Sequence, residues 1–409
     1  MKNYSALSGK TAAFAAVVLS ASLLGLAPAV AANVPAKPPL GPNEFPIAGQ
    51  PFVGSELSVG QITNGIGDCG RQDEDPDYVV EWLSNGTPLP TERQGKTLTL
   101  VPADRGNRIA FNVQATCNDS VAHSAETLPI ADSNRAMGWT GRGNFELLGR
   151  TSDGDLVLYP RTYESSWTYG GPGVRVQRFT GSWDEPRVVG TGWDMFDIVF
   201  SPGDFDGDGF NDVLARDSAG RLFLYPGDGG GGWEARRQVG TGWGIFDTIV
   251  GAGDFNGDLT NDVLARDSAG RLFLYPGDGT GGWLAPRQVG TGWGMFNKIV
   301  AAGSIGDDGA VGIFARAHDG TLHQYPADGQ GGWKPPSAVG PGWNDMAEIS
   351  SAGPYGKSPF SVYSGGTSLI AYNRDGDLFS YSIGGLTAPY FVAQEGQIGT
   401  GWNIFESLI

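Results

Sequence analysis

Asp204-Phe-Asp-Gly-Asp-Gly-Phe-Asn-Asp212 runs directly into Val-Leu-Ala-Arg-Asp-Ser-Ala-Gly-Arg-Leu-Phe-Leu-Tyr-Pro at 213–226. Fifty residues on, the stretch from Asp254 to Pro276 repeats it almost letter for letter, and a more worn copy ends at Pro326. Repetition at a fixed period constrains a fold before any single element does. Gly-Thr-Gly-Trp at 190–193, 240–243, 290–293 and 399–402, with Gly340-Pro-Gly-Trp343, marks five units. Five hairpins ending at Tyr159, Tyr225, Tyr275, Tyr325 and Tyr381 give the same count.

Each unit holds four strand-like runs, which in the best copy are 246–250, 262–267, 271–275 and 283–289. The third run is apolar at successive positions, so both of its faces need cover. Four antiparallel strands packed between neighbours describe a propeller blade. The first unit carries an insertion over 161–181 and has only a poor inner strand ahead of it. The chain stops at Phe405-Glu-Ser-Leu-Ile409, an inner-strand sequence with no unit to follow. Joining the two completes a blade and removes an open edge. The expected fold is all-β, with a five-bladed propeller over 137–409 closed by the C-terminal strand.

Alternating carboxylates in a glycine-bearing loop suit calcium, which takes six to eight oxygens in flexible geometry. In the first loop Asp204, Asp206 and Asp208 point inward, Asp212 closes the site and the Phe210 carbonyl adds a ligand. The second offers Asp254, Asn256, Asp258, Asp262 and the Thr260 carbonyl. The third copy has Ser304, Gly306 and Gly312 where ligands stood, leaving Asp308. Two structural Ca2+ ions are expected, with solvated Asp-Gly turns as the alternative. Magnesium demands stricter octahedral geometry.

These units resemble the FG-GAP/VCBS repeats, which form calcium-loaded β-propellers in integrin heads and many exported bacterial proteins. The resemblance rests on the Gly-Asp-Phe-Asp-Gly-Asp-Gly-x-x-Asp string and implies the same ligand positions. A five-unit ring is also similar to the tachylectin-2-like lectins in repeat length and aromatic content.

Ahead of the repeats, Lys2 and Lys10 precede an apolar run over 11–26, and Ala29-Val-Ala31 fits a cleavage site, so residues 1–31 read as a signal peptide. Export follows, with the protein extracellular or loosely attached to the cell wall. Residues 32–45 read as a Pro/Ala-rich linker. Over 46–130, alternating runs bounded by turn residues suggest a sandwich. The region resembles bacterial Ig-like domains through Val53-Gly-Ser-Glu-Leu-Ser-Val59, Trp82-Leu-Ser-Asn-Gly-Thr-Pro-Leu-Pro and Ala103-Asp-Arg-Gly-Asn-Arg-Ile109. Trp82 is then the core tryptophan, and the unit a spacer or presenting module. Cys69 and Cys117 are expected to form a disulfide, as pairs do in exported proteins. Two free thiols or half a metal site are the alternatives.

The net charge of −17 argues against nucleic acid or an anionic membrane as partner. Repeated tryptophans suggest sugar stacking. Trp233, Trp283 and Trp333, after the Gly-rich hairpins, are the expected ligand-facing set. Trp193, Trp243, Trp293, Trp343 and Trp402 look more like wedges between blades, a role open to the first set too. Only three histidines occur, and no nucleophile elbow, zinc string or phosphate loop. The expectation is a non-catalytic, lectin-like or adhesive glycan-binding protein. A polysaccharide hydrolase or lyase, and a structural or protein-binding envelope module, are the alternatives.

Overall fold

The computed structural model describes residues 44–45, 47–59, 78–116, 121–132, 137–141, 145–171, 174–304, 311–353, 367–384 and 391–409. The leader at 1–31, Cys69, Cys117, Gly306 and Asp308 lie outside them.

Residues 44–132 make two sheets. Glu44–Phe45, Tyr78–Ser84, Thr87–Pro88, Ile109–Ala115 and Val121–Ser124 form one, and Ile47–Ala48, Glu56–Val59 and Thr97–Thr99 the other. Leu57 and Leu98 from one sheet meet Trp82, Phe111 and Val113 from the other in a single core. Trp82 is fully buried, and its Nε1–H donates to the Gly95 carbonyl at 2.9 Å, so the indole takes no unsatisfied polar atom inside. Asn85 and Gly86 turn at φ 48 and 76, the pair of positive values that a tight hairpin needs. One boundary shifts: Glu44–Phe45, expected in the linker, pair in parallel with the strand Val121–Ser124.

Among the described residues the repeats form five four-stranded antiparallel sheets, propeller-like in their repetition. The second comprises Phe196–Gly203, Asp212–Asp217, Leu222–Tyr225 and Arg237–Gly240 in that order. The third (Phe246–Gly253 to Arg287–Gly290), fourth (Phe296–Ser304 to Ser337–Gly340) and fifth (Met346–Gly353 to Phe391–Gly399) follow the same order. The first is assembled differently. Leu147–Thr151, Leu156–Tyr159 and Arg187–Gly190 come from its own unit, and Phe405–Leu408 supplies the strand beside Leu147–Thr151. The insertion forms a separate hairpin, Arg161–Gly171 paired with Val174–Trp183. The fourth strand of the third sheet begins at Arg287, later than expected, because Trp283 makes only an isolated bridge to Gly277.

Among the described residues, each large core in the repeats is shared by two sheets. Leu214 and Leu224 meet Ile249 and Val263; Leu264 and Leu274 meet Ile299 and Ile313; Phe314 meets Ile349 and Leu369. Ile370 and Tyr372 of the fifth sheet meet Leu147, Phe405 and Leu408 of the first. Leu148 and Leu158 of the first meet Val199 and Val213 of the second, together with Ile409.

A second set of contacts runs the same way. Arg150 donates to the Phe196 carbonyl, Arg216 to Phe246, Arg266 to Phe296 and Arg316 to Met346, and Tyr372 donates through its hydroxyl to Phe405. Each bond leaves one sheet for the next, and the last lands on the first sheet. Arg216 also pairs with Asp197 and Arg266 with Asp247, on the neighbouring inner strand, while Asp217 and Asp267 hold Arg221 and Arg271 across the turn.

The Gly-x-Gly-Trp motif has a physical reason at both glycines. The second sits at φ 76 in Gly192 and 78 in Gly242, the left-handed region, just ahead of a short 3-10 turn. At the first, a Cβ on Gly190 or Gly240 would lie 2.3 Å from the Nε1 of the following tryptophan. Trp193, Trp243, Trp293, Trp343 and Trp402 are accordingly 4 to 7% exposed, tucked against the sheets.

Candidate functional site

The first acidic loop joins strand Phe196–Gly203 to strand Asp212–Asp217. It brings carboxylate oxygens of Asp204, Asp206 and Asp208 within 4.8 Å of one another. Asp204 organises the turn, accepting the Gly207 N–H at 2.7 Å and the Gly209 N–H at 2.9 Å. Asp206 accepts from Arg237 through Oδ2, while its buried Oδ1 has no hydrogen-bond donor. An acceptor left without a donor, facing two further carboxylates, fits a hard divalent cation. Burial, and then Asp208 and Asp206 against the pull of the Gly207 and Gly209 N–H groups, push the Asp204 carboxyl up to about 7.

Asp212, the expected closing ligand, accepts backbone N–H groups on both of its oxygens. Its Oδ2 accepts the N–H groups of Phe205 and Asp206, and its Oδ1 that of Gly227. It braces the loop from the strand below, and burial with Asp206 nearby raises its carboxyl well above the usual range. Phe210 is anchored by its N–H on Asp208 at 2.8 Å, with its ring exposed.

The second loop repeats the brace but not the trio. Asp254 accepts from Gly257, Asp258 and Leu259, and Asp262 from Phe255, Asn256 and Gly277. Asn256 turns its Nδ2 to Asp258 at 2.9 Å, and the Thr260 hydroxyl donates to the same carboxylate. Among the described residues only the first loop brings three acidic groups together. The amide at Asn256 spends a donor inside the second loop where the first has a charge. Burial and Asp258 still raise the Asp254 carboxyl, to about 6.

The tryptophans expected to face ligand do not stand free. Trp233, Trp283 and Trp333 are half-buried, and each Nε1–H donates to a backbone carbonyl of the preceding sheet, Val189, Val239 and Val289. Trp283 packs 5.2 Å from Trp243 and 4.6 Å from Phe205, and Trp333 packs 4.7 Å from Phe255. They bridge consecutive sheets. Their repeat spacing revealed that they recur, and could not reveal which way the indole turns.

A pocket not foreseen from the sequence, of ≈ 410 Å³, opens between the turn after Leu147–Thr151 and the entry to Phe405–Leu408. It is lined by Thr151, Ser152, Asp153, Asp155, Asn403 and Ile404, with Glu406 at its edge. In the second and third sheets the matching turn is spanned by the ion pairs Asp217–Arg221 and Asp267–Arg271. The first sheet has Thr151 and Asp155 there, two short side chains. Ile404 lies 57% exposed beside these oxygens. The signal was present at Asp155, the acidic residue where two other copies carry arginine, but only the register made the comparison meaningful.

A model of the FG-GAP-like repeat matches residues 204–265, the segment that holds both acidic loops. No curated protein matches the chain. Among solved structures, the chain is similar to the BP39L lectin from Burkholderia pseudomallei at 15% identity, covering 87% of this chain and 99% of that one, with a TM-score of 0.38. An Agrocybe aegerita lectin that recognises non-reducing terminal N-acetylglucosamine is 17% identical over 73% of this chain and 80% of its own, TM-score 0.31. A mutant of AofleA from Arthrobotrys oligospora is 11% identical over 80% and 93%, TM-score 0.35.

Proposed function

We propose that this chain is an exported, non-catalytic protein that binds extracellular or cell-wall glycan through a five-bladed propeller stiffened by Ca2+. The propeller is closed by Phe405–Leu408. Support for closure comes from the five shared cores and the five side-chain bonds that step from sheet to sheet and return to the first. Asp204, Asp206 and Asp208, with the Phe210 carbonyl, would hold one Ca2+. Asp254, Asn256, Asp258 and the Thr260 carbonyl would hold a second once the Asn256 amide presents its oxygen. The ion would supply charge neutralisation at a loop that otherwise buries carboxylates side by side. The N-terminal sandwich is taken as an Ig-like presenting module.

The observation that carries the glycan reading is the pocket: hydroxyl, carboxylate and amide groups beside an exposed aliphatic side chain. A sugar presents hydroxyls around its edge and C–H groups on its face, and this lining meets both. The test is a glycan array together with pull-down on insoluble cell-wall polysaccharide, using the wild type and Asp155→Arg. The arginine restores the arm that spans the matching turn in other sheets. Binding to at least one glycan class, weakened at least about tenfold by Asp155→Arg, is the expected result. No binding, binding indifferent to that substitution, or release of new reducing ends from a polysaccharide would contradict the proposal.

A further inference from the structure

The end of the N-terminal sandwich touches the second acidic loop, and its body touches the first. The Asp132 N–H donates at 3.2 Å to the carbonyl of Leu259, the residue that turns the second loop at φ 73. The Asp132 side chain is 1% exposed and paired through Oδ1 with Arg105, while its Oδ2 has no hydrogen-bond partner. Arg105 in turn lies against the backbone of both repeats. A Cβ on Gly207 would meet its Nη2 at 2.7 Å, and one on Gly279 its Nη1 at 3.0 Å. Val53 and Pro102 of the sandwich close over Gly209, where a Cβ would meet them at 3.3 and 3.8 Å. Gly207 and Gly209 are the turn glycines of the first loop, so the sandwich rests on the loop itself.

Like charges face each other across this seam. Burial, then Asp204 of the first loop, push the Asp132 carboxyl up to about 7 against the pull of Arg105, and Asp254 of the second loop adds to the rise. Asp206, Asp208 and Asp258 lie in the same loops, and among the described residues Arg237 pairs with Asp206.

We propose that Asp132 is a positioning carboxylate of the cation loops, supplied by the N-terminal unit, so that cation binding and docking of that unit strengthen each other. This rests on the cation reading above. Without an ion, Asp132 is buried opposite Asp204 and Asp254 and opposes docking. A divalent ion in either loop offsets most of the negative charge that Asp132 faces. Whatever factor the ion adds to docking, docking must add to ion affinity. The sandwich then serves as part of the centre rather than as a spacer.

The test is calorimetric titration of CaCl2 into the chelator-treated full chain, with the radius of gyration measured by X-ray scattering before and after. Wild type is compared with Asp132→Asn and with Arg105→Gln/Asp132→Asn, which leaves no lone buried ion. The wild type should bind Ca2+ and contract. Both variants should fold in chelator, bind about fivefold or more weakly and contract less. Variants that bind and contract like wild type would overturn the inference while leaving the cation reading intact, and so would failure of the double variant to fold in chelator. A wild type that takes up no Ca2+ would remove the cation reading and this inference with it.

Discussion

Asp204 shows how one residue type changes meaning with its surroundings. As an exposed turn aspartate it would titrate near 4; here burial and neighbouring carboxylates raise it to about 7. An acid whose folded value lies above its unfolded one binds more protons when folded. Stability then falls as pH rises from about 4 to about 7. In chelator, the melting temperature should therefore be higher at pH 5.5 than at pH 7.5, with Asp204→Asn flattening the difference. Saturating Ca2+ should reverse the trend, because protons and the ion compete for the same oxygens; scanning calorimetry at the two pH values checks both. The carboxylate string was legible in the sequence because alternation fixes which residues point inward. The distinct part played by Asp212 was not, since a brace and a ligand use the same residue type at the same spacing. Trp283 carries the same lesson: Trp283→Ala should lower stability by about 2–4 kcal/mol in urea unfolding, as loss of packed aromatic surface does. It should leave glycan affinity of the folded protein unchanged.

At the scale of the element, the Gly-x-Gly-Trp turn ties sequence to packing. Gly240→Ala places a methyl group where Trp243 Nε1 lies 2.3 Å away, so the indole must move out of the core shared by the second and third sheets. The expected loss is about 1–3 kcal/mol, the range for overpacking, read as a shift of the urea midpoint without a change in slope. Alanine at Gly329, whose Cβ would meet nothing within 4 Å, controls for crowding; its φ of 71 leaves only backbone strain. The four runs per unit were readable from their apolar patterning, and so was the long insertion from the broken period. Where the fourth strand begins was not, because the apolar character of Trp283 is satisfied by the neighbouring sheet rather than by a ladder of its own.

For the molecule as a whole, the chain is held by its last five residues. Phe405, Leu408 and Ile409 are 3, 7 and 2% exposed, the first two in the core shared by the fifth and first sheets and the third in that shared by the first and second. At about 1.5–3 kcal/mol for each large side chain buried, removing them forfeits an amount comparable to the whole stability of a typical domain. Deletion of 405–409 should therefore give a chain that aggregates or binds a hydrophobic dye on expression. The unmatched inner-strand sequence at the end of the chain made this element visible in advance. Tyr372, which takes the place of the arginines and returns the last bond to Phe405, had no precedent in the repeat pattern.

Hydrogen exchange of the C-terminal segment, followed by mass spectrometry under native conditions, tests the proposed ring closure most directly. The account predicts that the amides of 405–409 exchange as slowly as those of Phe246–Gly253, opening only with global unfolding. Exchange within seconds, as from a frayed tail, would contradict it.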